Sequence, residues 1–553
     1  MSDSDASQAA QPAPAGTTQA AKQAVVVIHG MGDQRPMDTI KAFVQAVWET
    51  DAVITANKLP HPSQVWSKPD PRTGSLELRR ITTRESIPSA AFPHGVRTDF
   101  YELYWADLTA GSTWDQFTGW VRGLLLRPVS RVPPDVRSAW IVLWIATLAV
   151  IAIAALAVLP ADAWRKIGAP WLADWHWLLA FVALAFGRWL HKTATASFGR
   201  VVRYTRADPD NIAARQAIRE RGLKLMNALH EGDHYQRIII VSHSLGTMLA
   251  HDLLSYFWAQ REAARKIAES SPEFEALCAL ESAAASVDRP NPTPAALDQY
   301  YAAQCRLRVA LASRPAPVTP DRQTSPDPRW LITDFITLGS PLAHAEFLIA
   351  ASAEDFATRK FERELPQSPP LREELDPRVF QLARATHKLP VGPSFETSKL
   401  ISFPPPSSPH VWELHHAAPF AVVRWTNIYD SASLVFRGDI IGGPVANAFG
   451  PAIIDIDLKS LRGQSRSFTH TKYWAIDGEP IHIEVLRKAI NLLDEPRQRR
   501  KVTPRSQPPG GATADQSARR AFHFSRSRTE AQILVAPAVA RSPCSARTAR
   551  RPP

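Results

Sequence analysis

Ser244 is the residue best placed to do chemistry. It stands in Ser242-His243-Ser244-Leu245-Gly246, directly after the β-branched run Ile238-Ile239-Ile240-Val241 and before a helix-like stretch, Thr247–Trp258. An apolar run of that kind predicts a buried parallel strand. Strand, sharp turn and helix with a serine at the apex make a nucleophile elbow, in which the residues two before and two after the serine must be small. Gly246 meets that demand; Ser242 stands where glycine is usual. The competing expectation is a serine that merely caps the following helix.

A serine nucleophile needs a base to take its proton and a carboxylate to orient that base. In a strand-to-helix elbow the partners follow the serine, acid first and histidine second. The segment Asn427–Pro444 offers Asp430 and Asp439. Asp439, between Gly438 and Ile440-Ile441-Gly442-Gly443, is expected on a tight exposed turn and is the favoured acid; Asp430, nearer a strand end, remains open. Either could instead be an ordinary turn aspartate. His470, in a polar loop before the helix-like Pro480–Leu493, is the expected general base. His243 adjoins the serine but is expected to point to the other side of the elbow.

Upstream, the apolar strand Ala24–Ile28 runs into His29-Gly30-Met31-Gly32-Asp33-Gln34. Glycines after a strand let backbone N–H groups turn towards a developing oxyanion. Those of Met31 and Leu245 are the expected oxyanion hole. A dinucleotide loop fits poorly, because its third glycine is missing. Neither the three cysteines, Cys278, Cys305 and Cys544, nor His415-His416 gives a metal-type ligand set, so no cofactor and no metal are expected.

At this point the motifs HGMGDQ, SHSLG and LGSPL can be joined to a late pattern, W-x-N…GD-x-x-GG-P…H-x-x-YW. Together they resemble α/β-hydrolases of the lipase/esterase superfamily, in particular bacterial membrane-associated hydrolases. HGMG and SHSLG, with serine in the usual first-glycine place, are also similar to the intracellular phospholipase A1 family that carries a DDHD domain. The resemblance covers roughly residues 24–110 and 205–494. It implies an α/β-hydrolase fold, a mostly parallel sheet with helices on both faces. It also implies ester hydrolysis through an acyl-enzyme, on lipids, with Ser244, His470 and Asp439 as triad. Acyl transfer or thioester cleavage would use the same residues. A catalytically silent fold serving as a membrane-bound interaction module is the alternative from another class.

The elements that must position these residues are interrupted. Ala139–Leu159 is 21 residues without a charge, about 31 Å as a helix, and is expected to cross a membrane. Trp171–Trp189 is a weaker second span, and tryptophans at 140, 144, 164, 171, 175, 177 and 189 lie where interfacial aromatics are expected. Arginines and lysines flank the pair on its outer sides, which predicts a hairpin with both ends cytoplasmic; a hairpin dipping into one leaflet is the alternative.

The expected organisation is a disordered leader (1–23), a first hydrolase part (24–135), a transmembrane hairpin (136–192), a second hydrolase part (193–494) and a basic disordered tail (495–553). The formal charge of +11 belongs to that tail, where 13 Lys/Arg face 2 Asp/Glu from Pro496 onward. A neutral body, and a tail whose only aromatics are Phe522 and Phe524, argue against nucleic acid as a partner. The expected partners are a lipid or other acyl-ester substrate and a membrane, with the catalytic part on the cytoplasmic side of a bacterial inner membrane. Oligomeric state is left open.

Further elements are expected as follows: helices over Thr39–Trp48, Gln260–Glu269 and Ala295–Ser313, and strands over Asp99–Trp105, Leu331–Leu338 and Phe420–Trp425.

Overall fold

The structure, a computed structural model, describes residues 21–30, 34–54, 65–109, 209–231, 234–287, 291–316, 327–374, 399–404, 410–432, 437–463, 469–476 and 480–495, with scattered positions between 126 and 204 and position 408. Before the apolar stretch Ala139–Leu159 come β1 (Ala21–Ile28), α1 (Asp38–Val44), β2 (Val65–Pro69), β3 (Arg79–Glu85) and β4 (Val96–Leu103). After it come α2 (Pro209–His230), β5 (Arg237–His243), α3 (Gly246–Gln260), β6 (Lys266–Ala268), α4 (Glu273–Val287), α5 (Pro294–Ala312) and β7 (Ile332–Leu338). Then follow α6 (Ala353–Phe361), the two-residue strands β8 (Glu373–Glu374), β9 (Lys399–Leu400) and β10 (Ser402–Phe403), and β11 (Val411–Leu414). The chain closes with β12 (Arg424–Tyr429), β13 (Ile454–Asp457), α7 (Leu458–Arg462) and α8 (Pro480–Ile490).

Eight strands form one mixed sheet in the order β13-β12-β7-β5-β1-β4-β3-β2. The six from β13 to β4 are parallel, and β3 and β2 complete the edge antiparallel. The molecule is therefore an α/β protein with a mostly parallel sheet. Strand β1 pairs with β4 from before Ala139–Leu159 and with β5 from after it, so the chain on both sides of that stretch builds the same sheet.

Unbroken apolar runs follow from burial on both faces. In β1 and β5, Val26 and Ile240 pack on one side with Leu249, Leu253, Leu280 and Leu307 of the helices α3, α4 and α5. Their neighbours Val25, Val27 and Ile239 pack on the other with Phe43 of α1 and Leu486 and Ile490 of α8. Each such side chain contributes about 1.5–3 kcal/mol by leaving water.

From β1 the sheet grows in opposite directions, to β4 on one side and to β5, β7, β12 and β13 on the other. At such a reversal open α/β sheets place their ligands beyond the carboxyl ends of the strands, here those of β1 and β5.

Two local expectations are corrected. Over Gln260–Glu269 there is only a turn of helix, Glu262–Arg265, followed by β6, which pairs with β11. Over Phe420–Trp425, residues Pro419–Ala421 form a 3₁₀ turn, and the strand runs from Arg424 to Tyr429. Phe420–Val423 is apolar because it is buried, and burial alone does not tell a turn from a strand.

Among the described residues no helix is long and apolar enough to cross a membrane. Most of Ala139–Leu159 and Trp171–Trp189 lies outside them, as do the leader 1–20 and the tail from 496. The positions that are described include helical Ile141, Ile145, Leu148 and Ile151, each with about half of its surface or more exposed.

Candidate active site

Every component of the site hangs from the carboxyl ends of parallel strands. Ser244 follows β5 with φ of 53°, a left-handed conformation that costs a non-glycine residue about 1–3 kcal/mol. The surroundings hold it there. Its N–H donates to Leu338 O at 3.0 Å, and its carbonyl accepts from the Thr247 N–H at 2.9 Å and from Thr247 Oγ1 at 2.7 Å. Thr247 is braced in turn by Ser340 Oγ at 2.7 Å, from the LGSPL turn after β7.

The need for small neighbours is visible in distances. A Cβ on Gly246 would lie 2.3 Å from His29 O and 2.7 Å from Ile28 O, so only glycine lets α3 start this close to β1. Ser242 is tolerated because its Oγ turns aside and donates to Ile336 O at 3.2 Å.

His29 shapes the expected oxyanion loop. Its Nε2 accepts from the Trp105 N–H at 3.2 Å, which leaves Nδ1–H to donate to Gly30 O at 2.8 Å. The Trp105 ring stacks on the imidazole at 5.3 Å, and its Nε1–H donates to His29 O at 3.0 Å. Gly30 then passes so near the serine that a Cβ there would sit 2.6 Å from Ser244 Cβ. Met31 lies outside the described residues. Leu245 is the N-cap of α3 and takes no side-chain capping bond, so the positive end of that helix faces the serine.

The loop after β13 and α7 brings in His470. Its Nε2 is 2.8 Å from Ser244 Oγ, and its Nδ1 is 2.9 Å from each oxygen of Asp439. With Nδ1–H donating to the carboxylate, Nε2 is free to accept the serine proton. Ser244, His470 and Asp439 are 2%, 4% and 1% exposed, so water does not compete for these bonds.

Asp439 is on a turn, as expected, but a buried one. Burial is tolerated because Tyr473 OH donates to its Oδ2 at 2.6 Å and the N–H groups of Ile441 and Gly442 donate to its Oδ1 at 2.9 and 3.0 Å. Desolvation by itself would raise its pKa. The bonds and charge of His470, with those of Tyr473 and Gly442, outweigh it and leave the carboxyl at about 2. Burial and the same carboxylate hold the Tyr473 phenol well above its usual value, hence protonated and donating.

Asp430 does something else. Its carboxylate accepts from Arg462 of α7 and from Thr469 Oγ1, the latter at 2.7 Å, and its carbonyl accepts from the Asp439 N–H at 2.7 Å. It anchors Asp439 through its backbone N–H, and Thr469, the residue before His470, through its hydroxyl, without touching the imidazole.

Sequence reasoning passed over Tyr473, although it stands three residues after His470 in a motif already singled out. His243, expected on the other side of the elbow from the serine, has its Nε2 2.6 Å from His470 O, a contact the sequence did not suggest. His415 is buried, with Nε2 at 2.9 Å from Leu371 O. A cleft of about 690 Å³ runs along α3 from Met248 towards Ala259, bordered by Tyr204, Arg215 and Leu342. It begins one turn beyond Ser244.

Chemically, the arrangement can pass a proton from a serine hydroxyl to an imidazole held in one tautomer by a buried carboxylate. No protein-family model, curated protein or solved structure matches the chain.

Proposed function

We propose that the protein is a membrane-anchored serine hydrolase with an α/β-hydrolase fold, cleaving carboxylic esters of a lipid through an acyl-enzyme. The observation that carries this reading is the buried chain Ser244 Oγ–His470 Nε2, His470 Nδ1–Asp439 at the point where the sheet reverses direction. His470 takes the proton of Ser244 as the oxygen attacks the ester carbonyl. The tetrahedral oxyanion then rests against the Leu245 N–H at the head of α3 and that of Met31. Collapse expels the alcohol, which receives the proton from His470. Water repeats the sequence to release the acid and restore Ser244.

The membrane part of the proposal rests on the uncharged stretch Ala139–Leu159 and on the exposed apolar side chains along it. Tyr204, beyond the second apolar stretch, donates to Asp252 of α3 at 2.7 Å and lies 6.3 Å from the Trp105 ring. A hairpin between 136 and 192 would thus return beside the nucleophile helix and the cleft along it. A substrate drawn from a bilayer would have a short path to Ser244.

The test is labelling of detergent-solubilised full-length protein by a fluorophosphonate probe. Wild type is expected to label, Ser244→Ala not at all, and His470→Ala at least about 10³-fold more slowly. A folded wild type that does not label would overturn the proposal. A panel of glycerolipid and phospholipid esters then identifies the acyl donor.

A further inference from the structure

Two adjacent residues grip opposite ends of the general base. Ser244 Oγ meets the ring of His470 at Nε2, 2.8 Å away, while His243 Nε2 meets its backbone carbonyl at 2.6 Å. The His243 ring also lies 4.9 Å from the His470 ring, 5.0 Å from that of Trp474 and 5.9 Å from that of Tyr473, so it fills the space behind the loop that carries the base. We propose that His243 is a positioning residue, its Nε2–H holding the His470 carbonyl so that the His470 ring keeps its place between Ser244 and Asp439. The inference rests on the hydrolase reading for its catalytic consequence, but the contact itself does not.

The chemistry of the contact is one-directional. A carbonyl only accepts, so Nε2 must carry the proton, and a neutral imidazole supplies a single N–H. Burial, with the nearby His470 adding to it, pushes the His243 pKa down to about 3, so the ring stays neutral and never competes with His470 for the serine proton. The backbone of His470 is held from its other neighbour as well, where Thr469 Oγ1 donates to Asp430. His243 is the only one of these two anchors that belongs to the nucleophile strand. It makes the distance from serine to base a property of β5 itself, although the two residues are 226 positions apart in sequence.

The experiment compares wild type, His243→Phe, which keeps the ring and loses the donor, and His243→Gln, which keeps an N–H donor of similar reach. On a water-soluble p-nitrophenyl ester, His243→Phe is expected to lower kcat about 100-fold at unchanged KM, and His243→Gln to recover at least tenfold of that loss. Because His243→Phe leaves the buried His470 carbonyl unpaired, it is also expected to melt below His243→Gln; kcat is therefore referred to the folded fraction, a correction that would restore wild-type turnover if the donor's role were purely structural. A parallel proton NMR spectrum follows the low-field Nδ1–H of His470, expected to be present in wild type and His243→Gln and lost or shifted in His243→Phe. Wild-type kcat in His243→Phe, or a His243→Gln variant as slow as His243→Phe, would overturn the positioning role. If wild type has no turnover, the hydrolase reading falls and the low-field proton alone decides: its persistence in His243→Phe overturns the inference, and its selective loss upholds the contact.

Discussion

The two ends of strands β5 and β7 carry buried polar networks of similar reach and opposite character. At the amino ends, Arg237 donates to Asp334 at 2.8 Å and Arg424 donates to the other oxygen at 2.6 Å, while Thr333 Oγ1 adds a bond at 2.7 Å. Arg237 also reaches back to Asn491 O at 2.8 Å and lies 3.5 Å from Asp494, which locks the end of α8 under the sheet. Burial alone would lower the Arg237 pKa; Asp494 and Asp334 reverse that and raise it. At the carboxyl ends, Asp439 is equally buried, but its partner is the imidazole of His470. A guanidinium keeps its proton under all ordinary conditions, whereas an imidazole can take and return one. One end of the sheet is therefore a fixed clasp, and the other is a place where a proton can move.

Substitutions that remove a carboxylate from each end separate the two roles. The largest effect is expected from Asp439→Asn, which keeps the shape but no longer selects the His470 tautomer: kcat per folded molecule should fall by about 10⁴, beside a stability cost of only about 2 kcal/mol at neutral pH. Ester turnover and fluorophosphonate labelling measured beside a thermal melt check this. A comparable loss of stability with unchanged turnover per folded molecule would make Asp439 part of the clasp.

Asp334→Ala should do the reverse. It strands Arg237 and Arg424 without their shared partner and is expected to cost about 3–5 kcal/mol, with kcat per folded molecule unchanged. Urea unfolding followed by tryptophan fluorescence gives the first quantity, and active-site titration gives the second.

The smallest effect is on pH. Because the Asp439 carboxyl is lowered to about 2 in the folded protein, its ionised form is bound more tightly there than in the unfolded chain, where such a group titrates near 3.9. That stabilisation, on the order of 2 kcal/mol, is complete above about pH 4 and disappears as pH falls towards 2. The urea midpoints of wild type and Asp439→Asn should therefore converge over that interval. A constant difference between pH 5 and 2 would show that Asp439 does not titrate with the fold.

What could be read along the chain depended on how local its cause was. The strand before Ser244, the small residue at 246 and the helix after it are neighbours, so their pattern marks the turn whatever the rest of the molecule does. β1 and β7 were legible as β-branched runs for the same reason. Phe420–Val423 looked like a strand and is a buried turn, because the apolar pattern reports burial rather than hydrogen bonding. Asp430 follows a strand end and Asp439 lies between glycines, and either setting suits an orienting carboxylate. The glycine-flanked turn favours Asp439, but only the fold shows which of the two carboxylates meets the His470 imidazole.

By itself the sequence determined an α/β chain with a serine raised on a tight turn, a glycine-bearing loop after the first strand, and a histidine and two aspartates in the order a hydrolase would need. Only the tertiary structure decided that Asp439 faces the imidazole while Asp430 faces Arg462 and Thr469, that Tyr473 completes the acid's shell, and that His243 turns inward to hold His470. The physical reason is that orientation of a side chain across 226 positions of sequence is set by packing of the whole sheet and its loops. Spacing along the chain carries no record of it.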